Sequence, residues 1–298
     1  MKFYWQVFQK SLAKFSKDDI FTHAAALSYY TIFSLPPMLL IILYTTTSFY
    51  DENTVKVAFF SQIGVLVGRD GAQQLMLTID KLDIFEPTIW ATLLGGVILA
   101  FTATTVFITM QNALNKIFRV KAKPQGGWGI LKMIKARFLS ITLLIGIAFI
   151  LLVSLVVNAL LESFGEYLNE LVGDASIIVN IMTSVIIPFF VITLLFALLF
   201  KFLPDAELKW ADTWFGAILT SVLFVVGKYL ISFYIGQSNV AGLYDAAGSI
   251  MVIMVWVFYA SIIVMYGAVV TYIHTQEKGE AIPAMDYAVK LEYREIEH

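Results

Sequence analysis

The chain has 298 residues, of which 59 % are hydrophobic and 14 % charged, with a formal net charge of −2 and no cysteine. Its mean hydropathy of +0.80 excludes an ordinary soluble domain. The lack of cysteine excludes a disulfide framework, a thiolate nucleophile and a thiolate metal site.

Residues 1–19 set Lys2, Lys10, Lys14 and Lys17 among Phe3, Trp5, Phe8, Leu12 and Phe15. The spacing predicts an amphipathic helix, either on the anionic cytoplasmic leaflet or packed against a bundle. No compact apolar core of a cleavable signal peptide is visible, so insertion is expected to begin with the first spanning run. Six apolar runs follow, near residues 22–49, 89–112, 138–161, 176–200, 211–235 and 248–273. Each is long enough to cross a hydrocarbon core of ~30 Å at ~1.5 Å per residue. The predicted fold is all-α, a polytopic membrane bundle of six spans over 20–274. The gap at 50–88 would carry short periplasmic helices, Thr54–Gly68 and Ala72–Leu82. A polar, loosely ordered tail is expected over 275–298.

Lysine and arginine alternate between the gaps. They are dense before the first run, between the second and third (Lys116 to Arg137), between the fourth and fifth (Lys201, Lys209) and after the sixth. The gaps at 162–175 and 236–247 hold none. The positive-inside bias therefore predicts that both termini are cytoplasmic.

The first span contains Pro36-Pro37. These prolines cannot donate to the carbonyls of Ile32 and Phe33, so the helix is expected to break or kink there. His23, Tyr30 and Ser34 share a face before that point. They fit either a discontinuous helix lining a polar cavity or a kinked packing helix. His23 suits a capping or interfacial role better than a proton relay. Thr102, Thr105, Thr109 and Asn112 form one stripe along the second span, with Gln111 and Asn115 adding polarity near its cytoplasmic end. Such threonines bond readily to their own helix, so the stripe fits tight packing as well as a substrate path. Pro188 predicts a kink, structural or hinge-like, in the fourth span. Lys228 is the one Lys or Arg well inside an apolar run, in the outer half of the fifth span. It would snorkel outward, line a cavity, or pair with an acid such as Asp245. The sixth span, with small and aromatic residues, reads mainly as scaffold.

Three stretches carry a resemblance. They are Phe21-Thr-His-Ala-Ala-Ala-Leu-Ser-Tyr-Tyr-Thr-Ile-Phe-Ser-Leu-Pro-Pro, Lys201-Phe-Leu-Pro-Asp-Ala-Glu-Leu-Lys-Trp-Ala-Asp-Thr-Trp-Phe-Gly-Ala, and Tyr244-Asp-Ala-Ala-Gly-Ser-Ile-Met-Val-Ile-Met-Val-Trp. In this order they resemble the YihY/virulence-factor BrkB family over nearly the whole chain. The resemblance implies six spans in a bacterial inner membrane and no settled activity. Such proteins were long labelled ribonuclease BN-like. The residues argue against an enzyme: His23, His274 and His298 are scattered, and no HxH, HExxH, DxD, Walker A or GxGxxG motif is present. No catalytic, cofactor or metal residue is assigned. The expected function is transporter-like or flippase-like handling of a lipid or amphipathic solute, anionic or not, through a polar cavity. The alternative is a structural or docking partner in envelope biogenesis. Expected partners are membrane lipids and either a second copy or an envelope protein. Nucleic acid is not expected, because topology already explains the basic loop at 116–137.

Overall fold

The computed structural model of the chain describes residues 2–47, 51, 54, 57, 89–123, 185–237 and 246–292. The predicted span at 138–161, the gap at 162–175 and most of the predicted periplasmic helices lie outside them. The described elements are α1 (Lys2–Lys17), α2 (Ile20–Thr47), α3 (Ile89–Phe118), β1 (Val120–Ala122), α4 (Ile187–Phe202), α5 (Trp210–Gln237), α6 (Ala246–Glu277) and β2 (Ala288–Lys290). Among the described residues, three segments are long and apolar enough to cross a membrane: Leu93–Phe118, Trp210–Gly227 and Ile253–Glu277. The shorter α4 is apolar as well.

Local chemistry sets the ends of these helices. Lys14 and Lys17 occupy the last turn of α1, where cations complement the exposed carbonyls. Asp19 then takes a left-handed φ of 52°, and its carbonyl accepts from the amides of Thr22 and His23 as α2 begins. Arg119, at φ 56°, ends α3 in the same way. Gly279, at φ 76°, closes α6. Its amide donates to the Gln276 carbonyl at 2.9 Å, and the Glu280 amide donates to the Thr275 carbonyl at 3.2 Å. That is a Schellman cap, and it needs glycine at this point.

One predicted feature is corrected. At Pro36-Pro37, expected to break or kink the first span, the helix does not break, and α2 continues through both prolines as one helix of 28 residues. The two missing donors sit side by side, so the ladder loses two rungs and resumes beyond them. Pro188 behaves differently. It lies in the first turn of α4, directly after a π-type turn at 185–186. A widened turn of this kind accommodates a residue that lacks its N–H.

The chain divides into two compact units. Unit 1 comprises Met1–Asp18, Gln111–Val225 and Ile263–His298. Its centre is the last part of α6, where Val264, Met265, Ala268, Val269, Val270 and Thr271 are all buried. A helix apolar all round is an interior helix. It runs antiparallel to α5 through a reciprocal joint. A Cβ on Gly216 would overlap Thr271 Oγ1, and a Cβ on Gly267 would overlap Thr220 Oγ1. The glycines let the backbones approach. Each threonine satisfies itself four residues back, Thr220 on the Gly216 carbonyl at 2.6 Å and Thr271 on the Gly267 carbonyl at 2.8 Å. Unit 2 comprises Asp19–Met110 and Val226–Ile262. There Gly227 leaves room for the Tyr259 phenol, and Phe21 lies 6.5 Å from Phe258.

The tail after α6 is more ordered than its polar composition predicts. β2 pairs antiparallel with β1, setting Val120 opposite Lys290. The Glu207 amide bonds the Pro283 carbonyl, the Met285 amide bonds the Asp205 carbonyl, and the Leu291 amide bonds the Arg119 carbonyl. Residues 282–291 therefore form a strap over the ends of α3 and α4.

Candidate functional site

The 203–209 turn between α4 and α5 is short and tightly held. The Leu203 amide still reaches the Leu199 carbonyl, and Lys201 folds forward so that its ammonium donates to the Leu208 carbonyl. The Thr213 hydroxyl and amide both bond the Lys209 carbonyl, fixing the start of α5. This turn places Asp205 inside unit 1, only 4 % exposed.

Asp205 is the hub of unit 1. Asn115 and Gln111, four residues apart on α3, point at it from one face. Asn115 Nδ2 donates to Asp205 Oδ2 at 2.7 Å, while Asn115 Oδ1 accepts from the Asp205 amide at 2.7 Å. That reciprocal pair fixes the orientation of the amide. Gln111 Nε2 donates to Asp205 Oδ1 at 3.1 Å. The Tyr287 hydroxyl, on the strap, donates to the same oxygen at 3.1 Å. Two amides and a phenol thus meet one buried carboxylate and tie α3, the turn and the strap together. Burial pushes the Tyr287 phenol up to about 12, and the adjacent Asp205 charge and hydrogen bond push the same way. The phenol therefore remains a donor at physiological pH.

A second buried carboxylate, Asp212, sits in the first turn of α5, where an acid complements the helix dipole. Lys278 Nζ lies 2.8 Å and His274 Nδ1 3.3 Å from its Oδ1. The imidazole is clamped by rings. Phe215 stacks on it at 4.0 Å, and Phe3 of α1 meets it edge-on at 5.8 Å. Around the rim, Lys209 pairs with Glu280 at 2.7 Å and Lys10 with Glu277 at 2.6 Å. Lys14 pairs with Asp18 at 2.7 Å and lies over the Tyr272 ring. Burial lowers the Lys14 ammonium pKa, with Asp18 opposing that shift.

The predicted site residues are placed as follows. His23, Tyr30 and Ser34 lie half-buried on α2. Ser34 donates to the Thr31 carbonyl at 2.6 Å, and Tyr30 meets Tyr29 edge-on. Thr102, Thr105 and Thr109 are half-buried on α3. Their hydroxyls donate to the carbonyls of Ile98, Phe101 and Thr105 at 3.0, 2.9 and 2.8 Å. Asn112 is exposed, and the inward-facing polarity of that turn belongs to its neighbours, half-buried Gln111 and buried Asn115. Lys228 lies on α5, with its side chain outside the described residues, as are the side chains of Pro36 and Pro37. Asp205, Asp212, His274 and Tyr287 were not singled out from the sequence. The first two lie within the Lys201–Ala217 stretch that carries the resemblance, which was their only signal. Among the described residues, no group of three or more His, Asp or Glu comes together as a metal site.

A family model described as Virulence factor BrkB matches residues 11–288. Curated relatives are UPF0761 membrane proteins. One from Legionella pneumophila is 27 % identical over 278 residues, covering 89 % of this chain and 61 % of its own. One from Albidiferax ferrireducens is 25 % identical over 276 residues, covering 90 % and 62 %. One from Pseudomonas aeruginosa is 25 % identical over 260 residues, covering 86 % and 59 %. The chain thus spans less than two thirds of the length of the curated relatives it matches. No solved structure matches it.

Proposed function

The chain belongs to the Virulence factor BrkB family, and on that premise we propose a transporter-like or flippase-like role for it in a bacterial inner membrane. Its cargo is a lipid or amphipathic solute. The chain crosses six times with both termini in the cytoplasm. Contact between α1 and the end of α6 supports an even number of crossings, because Lys10 meets Glu277 and Phe3 meets His274.

The observation that carries the proposal lies in unit 2. The hydroxyl-bearing residues Tyr30, Ser34, Thr102, Thr105 and Thr109 all remain partly accessible, and among the described side chains of α3 from Leu93 to Met110 only Gly95 is buried. A threonine that donates to its own helix keeps an acceptor lone pair. Accessible apolar helix surfaces with weak acceptors suit a molecule that is itself mostly apolar. Lys228 supplies the contact for an anionic group. No nuclease or other catalytic step belongs to this function.

The direct test is movement of fluorescent phospholipids, including phosphatidylglycerol, across vesicles holding the purified chain. Lys228→Met is expected to abolish movement with stability intact, and Lys228→Arg to keep part of it. Movement no faster than in protein-free vesicles for every lipid tried would overturn the proposal. A docking role in envelope biogenesis is the second reading. It is favoured by the same threonines, which have spent their only donors within their own helix. Crosslinking that captures a defined envelope protein, with no lipid movement, would favour it.

A further inference from the structure

The α1 helix has three distinct faces, although an amphipathic helix ordinarily has two. Val7, Ser11 and Lys14 are buried within unit 1, at the helical spacing of one face. Phe15 joins them edge-on to Tyr266 at 5.6 Å. About a third of a turn away, Tyr4, Trp5, Phe8 and Leu12 form a stripe that is 60, 61, 47 and 48 % exposed. The remaining face carries Gln6, Gln9, Lys10, Ala13 and Lys17, all exposed. A helix at the rim of a membrane bundle meets three media: protein to one side, hydrocarbon on another and water on the third.

From this division we infer that α1 is an interfacial anchor, with its Tyr4–Leu12 stripe embedded in the bilayer leaflet on the side of the termini. Lys10 and Lys17 mark its boundary with the headgroups and water. A second observation points to the same occupant. Tyr4 lies 6.0 Å from Phe215 of α5. Trp210, five residues earlier on that helix, is 44 % exposed, packs edge-on against the exposed Phe202 and lies under the Lys201 ammonium. An exposed tryptophan with a lysine beside it at a helix end is the signature of the membrane–water boundary. Five residues of helix cover only ~7.5 Å, so the aromatic stripe of α1 starts close to the depth of that boundary. The lysines favour a leaflet containing anionic headgroups. The anchor requires only that the chain lies in a bilayer, and it is independent of any cargo.

The chain has no cysteine, so single spin labels can be placed in the full-length protein without background. Phe8→Cys and Gln9→Cys, both at exposed positions, are labelled in vesicles of phosphatidylcholine with a minority of phosphatidylglycerol. Relaxation by oxygen, which enriches in hydrocarbon, is compared with relaxation by a water-soluble nickel chelate. The label at Phe8 is expected to favour oxygen and the label at Gln9 the chelate. Preference for the chelate at both sites would place the stripe in water and overturn the inference. Shielding of the Phe8 label from both agents would mean that protein, either a second copy or another partner, covers the stripe, and would overturn it equally.

Discussion

Replacing Asp205 by asparagine tests the hub of unit 1 by its chemistry, since the shape barely changes. Both carboxylate oxygens now face donors, Asn115 Nδ2 at Oδ2 and the Gln111 amide and Tyr287 phenol at Oδ1. With its N–H group toward Asn115 the new amide faces a donor that the Asp205 amide holds in place, and turned the other way it must make the Gln111 amide flip and the Tyr287 hydroxyl accept. A hydrogen bond to a charged group contributes ~1.5–3 kcal/mol, and a buried donor left unpaired costs ~1–3 kcal/mol. The two overlap in part, so Asp205→Asn is expected to destabilise unit 1 by about 2–4 kcal/mol. Adding Asn115→Asp reverses the polarity of the pair. The new carboxylate would accept from the 205 amide and from the new asparagine side chain, whose oxygen keeps Gln111 and Tyr287. The double variant should therefore recover most of the loss, a coupling that separate contributions cannot produce. Thermal unfolding in detergent gives one readout. Maleimide labelling of Ile282→Cys, on the strap and 1 % exposed, gives a second. A single substitution that changes neither readout would refute the reasoning. So would a double variant that loses as much as the two single variants combined.

Gly216→Ala is expected to force α5 and α6 apart, because the new methyl would overlap Thr271 Oγ1 and come within 3.2 Å of the Gly267 carbonyl. A loss of ~1–3 kcal/mol, relieved in part by Thr271→Ala, should appear in thermal melts. An unchanged melting temperature would show that the helices yield freely. For Tyr287, the folded pKa of about 12 lies above the ordinary 10. Its contribution to strap docking is therefore complete below pH 10 and is lost as pH rises toward 12. A spin label at Asp286→Cys should become mobile over that window, and Tyr287→Phe should abolish the pH dependence. Reporter fusions at the C-terminus and within residues 162–174 are expected on opposite sides of the membrane. Finding both on one side would sink the six-span topology.

Membrane character was legible in the sequence because it depends on local composition. A run of apolar residues long enough to cross a bilayer can be read without knowing what packs against it. Five of the six runs, near 22–49, 89–112, 176–200, 211–235 and 248–273, coincide with α2 to α6 over described residues. Among the small residues of the sixth run, Gly267 sits where a Cβ would overlap Thr220. Pro36-Pro37 shows the limit of local rules. Two lost donors predicted a break or a kink, yet the helix carries on through them without a break, because the rungs on either side of the missing pair hold the ladder.

The site was legible only in part: Gln111 and Asn115 showed as polarity near the end of the second run, but nothing in sequence tied them to Asp205 or Tyr287. Asn115 sits in a polar helix end, Asp205 in a turn and Tyr287 in a polar tail. They are separated along the chain by 90 and 82 residues. Polarity in sequence pointed to the Thr102–Asn112 stripe, but there each threonine is satisfied by a carbonyl three or four residues away. A carboxylate has no donor of its own and cannot be satisfied by a helix carbonyl in that way, so once buried it must recruit partners from elsewhere. The sequence alone determined which segments leave water. Tertiary structure decided that Asp205 does so too, and that Gln111, Asn115 and the Tyr287 strap gather around it.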